Sequence, residues 1–280
     1  MMNQKELEAA KHLIDLAMEE DVATGDLTTD NLIPAEMKRT AYWVAKADGI
    51  VAGLEIAEMT FRKLDPDLKW NVFFSDGSRV KKGDIIVRFE ATYRALLTGE
   101  RIALNFVQRL SGIATMSGLY ADAVKDYKTE ILDTRKTLPG FRLLDKYAVK
   151  TGGATNHRIG LFDMVMIKDN HIDIAGGIEP AVKAIREKVA PEIKIEVETT
   201  NINQVKEALE AGADIIMLDN MSNETMTKAV ELINGKAKVE ASGNMTLERL
   251  AEVAATGVDF ISIGALTHSV TALDISQRIK

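Results

Sequence analysis

No cysteine occurs among the 280 residues, which excludes disulfides, thiolate metal sites and a cysteine nucleophile and leads us to expect a cytoplasmic protein. Prolines number only 5 and no low-complexity tract is present, so neither a Pro-rich linker nor a disordered chain is expected. No run of about 18 apolar residues exists to span a bilayer. The opening MMNQKELEAAKHLIDLAMEED is also too polar for a secretory h-region. Positive charge is scarce as well: Lys and Arg total 35 against 42 Asp and Glu, a net charge of −7. With no basic run longer than a pair, the positive footprint that nucleic-acid backbones require is missing.

What is present is an ordinary globular balance, 46% hydrophobic and 28% charged, at a length that favours two domains. Residues 1–110 read as α+β. An amphipathic helix near Lys5–Glu20 precedes short strands in RTAYWVAKADGIVAG, LKWNVFF and DIIVRFEA, separated by Gly and Asp turns. DGSRVKKGDIIVRF has the look of a biotinyl-carrier turn, but it lacks the flanked acceptor lysine, so a small sheet is the better reading. TGERIALNFVQRLSGIATMSGLYADAVKD then runs as a long helix with Gly112 and Gly118 as weak points.

Residues 111–280 change grammar. EILDTRK, DMVMIKD, IKIEVET, DIIMLDN, KVEASGN and DFISIGA alternate with helical segments, the pattern of a parallel β/α architecture. Six strands fall short of the eight in a closed barrel. The expected fold is therefore α/β: a sandwich-like α+β domain followed by an incomplete (β/α) barrel, with a doubly wound open sheet as the alternative.

Strand parity carries the argument toward function. Successive side chains alternate faces, and the face that meets the helices must be apolar. That assigns Leu132, Val165, Ile167, Ile195, Val197, Ile216, Leu218, Val239, Ile261 and Ile263 to the helix layer. The other parity turns Asp133, Arg135, Lys168, Glu196, Glu198, Asp219, Lys238, Glu240 and Ser242 inward. Interior charges are costly unless paired with one another or with a ligand, and barrel enzymes keep their sites at the C-terminal strand ends. The competing reading is an ion-pair network that only holds the barrel together.

Arg135, Lys136 and Lys168 at strand ends, with His157 and Arg158 in KTGGATNHRIG, bring cations together from several segments, so an anionic ligand is implied. An arginine fork suits carboxylate and phosphate. Glu198 and Asp219 end neighbouring strands, the sparse carboxylate supply that Mg2+ uses when substrate phosphates complete its octahedron. Glycines in EASGN and SIGALTH sit where backbone N–H groups can cradle a phosphate.

These residues carry a resemblance. DTRKTLPGFRLLDKYAVKTGGATNHRIGLFDMVMIKDNHI resembles the signature of quinolinate phosphoribosyltransferase, the decarboxylating enzyme of NAD biosynthesis, and ERIALNFVQRLSGIAT, EVET, IMLDN, EASG and SIGALTHS follow in the family's order. The resemblance implies a homodimer with shared sites, acting on quinolinate and phosphoribosyl pyrophosphate with Mg2+, without nucleic-acid or membrane partners. By motif, Arg101 would reach across the dimer to quinolinate, joined by Arg135, His157, Arg158 and Lys168. Glu198 and Asp219 would hold the Mg-bound ribose and pyrophosphate. Thr134, Lys136, Ser242, Gly243, Asn244, Ser262, Gly264 and Ala265 would line the substrates, with Lys136, Lys168, Glu198 and Asp219 as the catalytic set. Asn244 departs from the family, which usually has glycine there; if that position needs positive φ, asparagine is the next most tolerant residue. His171 and His268 stay unassigned, a hydrogen-bonded structural role being the commoner case. A different class, a Schiff-base lyase, would use Lys168 as nucleophile. A nicotinate-using transferase, a molybdenum-associated homologue and a non-enzymatic ligand sensor are further alternatives.

Overall fold

A computed structural model describes residues Met1–Lys280. In chain order the strands are β1 (Lys38–Ala45), β2 (Gly49–Ile50), β3 (Lys69–Val72), β4 (Arg79–Val80), β5 (Ile85–Thr92), β6 (Glu130–Leu132), β7 (Val165–Ile167), β8 (Ile195–Thr199), β9 (Ile215–Asp219), β10 (Lys238–Ser242), β11 (Phe260–Ser262) and β12 (Ile275–Ile279).

One compact unit comprises Met1–Gly118, Thr137–Gly153 and Leu266–Lys280. Its antiparallel sheet runs β12-β1-β5-β3, with β2 and β4 as a separate pair. The core is aromatic: Trp43, Phe61 and Phe89 are fully enclosed, and Trp70 packs on them with ring centroids 4.8–6.2 Å apart. The first helix, Gln4–Asp21, starts on a capping box in which Asn3 and Glu6 satisfy each other's amides. The long helix Tyr93–Ala123 continues through Gly112. A Cβ on Gly112 would come 2.2 Å from the Thr271 carbonyl, so this glycine is a point of close backbone approach and not a weak point.

One feature departs from the sequence reading here. The C-terminal strand β12 pairs with β1, an element the periodicity did not reveal. The segments Thr137–Gly153 and Leu266–Lys280 pack with the first unit.

Leu119–Lys136 and Ala154–Ala265 form the second unit. Its parallel strands run β6-β11-β10-β9-β8-β7. Because β7 follows β6 in the chain, this order closes a circle with one seam open between them. That is an incomplete barrel; a doubly wound sheet would reverse its strand order part-way. At the seam Leu132 pairs with Thr155 in an isolated parallel bridge, and the Thr155 N–H donates to the Ile131 carbonyl at 2.8 Å. The apolar parity holds, with Ile195, Val197, Ile216, Leu218 and Ile261 fully buried. Helices Ile202–Glu210 and Asn223–Ile233 begin where Asn201 and Ser222 accept from the amides of Gln204 and Thr225. Lys238 corrects the expectation of an inward charge: it is exposed at the start of β10 and paired with Asp259.

Candidate functional site

The residues assigned to the substrates from the barrel strands lie at or just past the C-terminal ends of strands of the second unit. Thr134, Arg135 and Lys136 follow β6, Lys168 follows β7, Glu198 is in β8 and Asp219 ends β9. Ser242 ends β10 before Gly243 and Asn244, and Ser262 ends β11 before Gly264 and Ala265. Arg135 and Lys136 are exposed, because β6 stops at Leu132, and parity therefore no longer governs their direction. The Lys136 N–H donates to Thr134 Oγ1 at 3.1 Å and tightens this loop. Arg101 is exposed on the long helix of the first unit.

His157 and Arg158 follow the Leu132–Thr155 bridge, on a loop pinned from beneath. The His157 N–H donates to Asp133 Oδ1 at 2.8 Å, and the amides of Ile159 and Gly160 donate to the Asp163 carboxylate at 2.7 and 2.8 Å. Arg158 donates from its guanidinium to the Met164 carbonyl at 2.9 Å. Burial and the like charge of Arg135 hold its pKa below the ordinary guanidinium value. Two guanidinium groups that repel each other gain most from an anion between them.

Deeper in the barrel the inward charges form the internal network that strand parity had offered as the competing reading. His157 Nε2 lies 3.2 Å from Glu196 Oε2 and 3.3 Å from Glu240 Oε2, and all three side chains are enclosed. None of the four carboxylate oxygens receives a fully aligned hydrogen bond. Burial pushes the Glu196 carboxyl up to about 7, with His157 opposing and the charge of Glu240 adding. These three residues offer ligand atoms within 4.8 Å of one another, the spacing of a metal site. The Arg158 N–H, however, donates to His157 Nδ1 at 2.7 Å. A neutral imidazole that gives Nε2 to a metal carries its proton on Nδ1, where that amide already points. The cluster is built for protons.

The carboxylates at the mouth differ. Glu198 accepts from Lys168 Nζ at 2.8 Å and Asp219 accepts from Asn220 Nδ2 at 2.9 Å, each through one oxygen. Both are partly exposed. Two hard oxygen donors at adjacent strand ends fit a magnesium ion that takes its remaining ligands from water and phosphate.

Asn244 adopts φ +50°, the left-handed conformation its replacement of glycine required. Its Nδ2 donates to Asn220 Oδ1 at 3.0 Å, which links it through Asn220 to Asp219. Gly243 is at φ +91°, and a Cβ there would meet Asn220 Oδ1 at 2.2 Å. Sequence reasoning missed Asn220 altogether and saw Glu196 and Glu240 only as interior charges, without the histidine that joins them. His171 Nδ1 accepts from the Lys168 N–H at 3.0 Å. His268 lies 2.6 Å from Ser269 Oγ.

Residues 26–111 match the N-terminal domain and residues 113–278 the C-terminal domain of quinolinate phosphoribosyl transferase. The chain is 50% identical over 288 residues to an Arabidopsis thaliana protein named nicotinate-nucleotide pyrophosphorylase [carboxylating], chloroplastic, a match covering 96% of this chain and 82% of the relative. Among solved structures, NadC from Streptococcus pyogenes superposes with a TM-score of 0.96 at 36% identity, covering 100% of this chain and 99% of that one. The nicotinate-nucleotide pyrophosphorylase from Francisella tularensis gives 0.94 at 40% identity, covering 98% and 96%.

Proposed function

The chain belongs to the quinolinate phosphoribosyl transferase family, and we propose that the barrel mouth is where it joins quinolinate to phosphoribosyl pyrophosphate with Mg2+. The reaction gives nicotinate mononucleotide, pyrophosphate and CO2. The observation that carries the site assignment is the convergence of Arg135, Arg158 and Lys168 beside Glu198 and Asp219.

In this reading Arg135 and Arg158 hold the quinolinate carboxylates through paired hydrogen bonds, with Lys168 beside them. The fixed carboxylates aim the pyridine nitrogen at the anomeric carbon. As the C–N bond forms, the C–O bond to pyrophosphate breaks and the ribose passes through a centre with oxocarbenium character. Glu198 stabilises that charge electrostatically. Glu198 and Asp219 would hold a magnesium ion, whose positive charge would ease the departure of pyrophosphate. Lys136 and the backbone amides at Ser242–Asn244 and Gly264 take phosphate oxygens. The positive pyridinium nitrogen then stabilises the carbanion left at the adjacent carbon when its carboxylate leaves as CO2, and a proton from water adds to that carbon, so no organic cofactor is needed.

Arg101, exposed on a helix of the first unit, completes the quinolinate site of a partner subunit in a homodimer. A cytoplasmic location, which the cysteine-free composition favours, belongs to the same reading. A Schiff-base lyase fits less well. Lys168 is half exposed and donates to Glu198, unlike the desolvated amine that such chemistry uses. The test is pyrophosphate release from phosphoribosyl pyrophosphate that depends on both quinolinate and Mg2+. Release without quinolinate, or trapping of Lys168 by borohydride with substrate, would contradict it.

A further inference from the structure

The His157 ring has both nitrogens occupied inside the chain. Burial pulls the ring's pKa down and the two acids beside it push it up, to about 10 in balance, but Nδ1 accepts from the Arg158 N–H at 2.7 Å, and a second ring proton there would point at that amide, so the geometry places the ring proton on Nε2. That proton faces two acids, Glu196 and Glu240. The side chain is 7% exposed, which leaves little of it for a ligand to touch. Turning the ring over would aim carbon at two carboxylates and leave the Arg158 amide without its acceptor.

Two buried acids around one N–H are a costly filling for a barrel interior, since apolar side chains of similar volume would be as stable or more so. What the acids supply, and leucine would not, is a direction for the ring. We propose that Glu196 and Glu240 are positioning residues that act through His157: they fix its Nε2–H tautomer, the tautomer fixes the Arg158 peptide, and the peptide sets the guanidinium that reads a quinolinate carboxylate. His157 then serves substrate binding through Arg158 as well as by any contact of its own. The inference rests on the quinolinate-binding role of Arg158 given above.

The chain of contacts is continuous. Asp133 holds the His157 amide, His157 holds the Arg158 amide, and the Arg158 guanidinium is held at its far side by the Met164 carbonyl. An error of about 1 Å in a substrate-orienting group is worth roughly 100-fold in rate, so loosening one link has a readable effect.

The experiment combines binding and nitrogen resonances on the full-length protein. In wild type, 15N-labelled histidine should give a bare Nδ1 and a protonated Nε2 for His157, with Nε2 little moved by quinolinate. Glu240→Leu should weaken quinolinate binding, measured by calorimetry without the second substrate, by about 10- to 100-fold. It should leave the KM for phosphoribosyl pyrophosphate unchanged. Glu240→Gln, which keeps an acceptor oxygen, should restore binding to within about 3-fold of wild type. A protonated Nδ1 in wild type would overturn the proposal even if Glu240→Leu fails to fold, and so would a folded Glu240→Leu that binds quinolinate normally. Failure of wild type to bind quinolinate at all, with the expected nitrogen pattern intact, would instead sink the substrate assignment and this proposal with it.

Discussion

Lys168 donates from Nζ to Glu198 Oε2 at 2.8 Å across the ends of β7 and β8. The pair joins a cation suited to quinolinate to a carboxylate suited to magnesium, so each half of the site is held by the other. The lysine side chain is 47% exposed, and pairs this open contribute about 0–1 kcal/mol to stability. Lys168→Ala and Glu198→Gln should therefore melt close to wild type while losing most activity. Glu198→Gln should also need more Mg2+ and raise the KM for phosphoribosyl pyrophosphate more than it weakens quinolinate binding. Full activity in excess EDTA would remove the metal from the account.

Asn244→Gly separates strain from contact. Glycine accepts φ +50° freely, so stability should change by no more than about 1 kcal/mol. The hydrogen-bond chain from Asn244 through Asn220 to Asp219 is lost. At about 0.5–1.5 kcal/mol for one hydrogen bond, the KM for the magnesium complex of phosphoribosyl pyrophosphate should rise roughly 3- to 10-fold. An unchanged KM would mean Asn244 does no more than tolerate its backbone.

Inside the first unit, Arg109 donates from Nη2 to the fully enclosed Asp145 at 2.8 Å. Burial raises the Asp145 pKa and Arg109 opposes that rise. Arg109→Ala removes the guanidinium from this carboxylate, leaving the Leu138 amide and the charge of Arg142 to hold it, and should cost up to about 3–5 kcal/mol at pH 8. The sign with pH follows from the raised value. A folded carboxyl that holds its proton more tightly than the unfolded one favours the fold at low pH, an advantage lost as pH rises through the folded pKa. Without Arg109 the pKa rises further, so the gap between variant and wild type should narrow as pH falls toward 5. Urea melts at both pH values check it; a constant gap would point to lost packing.

The proposed sharing of sites between subunits makes a complementation prediction. Mixing inactive Arg101→Ala subunits with inactive Lys168→Ala subunits should recover part of the activity, because one heterodimer rebuilds one intact site. No recovery, once subunit exchange is demonstrated, would confine Arg101 to its own chain.

Much of this was legible in the sequence, for reasons visible in particular residues. Alternation in IKIEVET separates Ile195 and Val197 from Glu196 and Glu198, and in DIIMLDN the same parity sets Ile216 and Leu218 apart from Asp219; both strands form as read. Parity could turn Glu196 and Glu240 inward but could not name their partner, because His157 sits on a loop whose direction no periodicity governs. β12 escaped because five residues of ISQRI carry too little pattern, and its partner β1 lies more than 200 positions earlier. Arg135 was read as part of a strand that ends three residues before it.

The central claim is that Arg135 and Arg158 read the quinolinate carboxylates and do not merely brace the barrel. Truncating one partner of a desolvated charge pair costs about 2–5 kcal/mol, so either arginine changed to alanine should lower kcat/KM for quinolinate by roughly 30- to 4,000-fold. Arg135→Lys should remain impaired, because it keeps the charge and loses the fork. The deciding measurement is quinolinate kinetics beside melting temperature for these three variants. The account predicts the loss in kcat/KM with melting points within about 5 °C of wild type; a large drop in melting temperature with near-normal kcat/KM would contradict it.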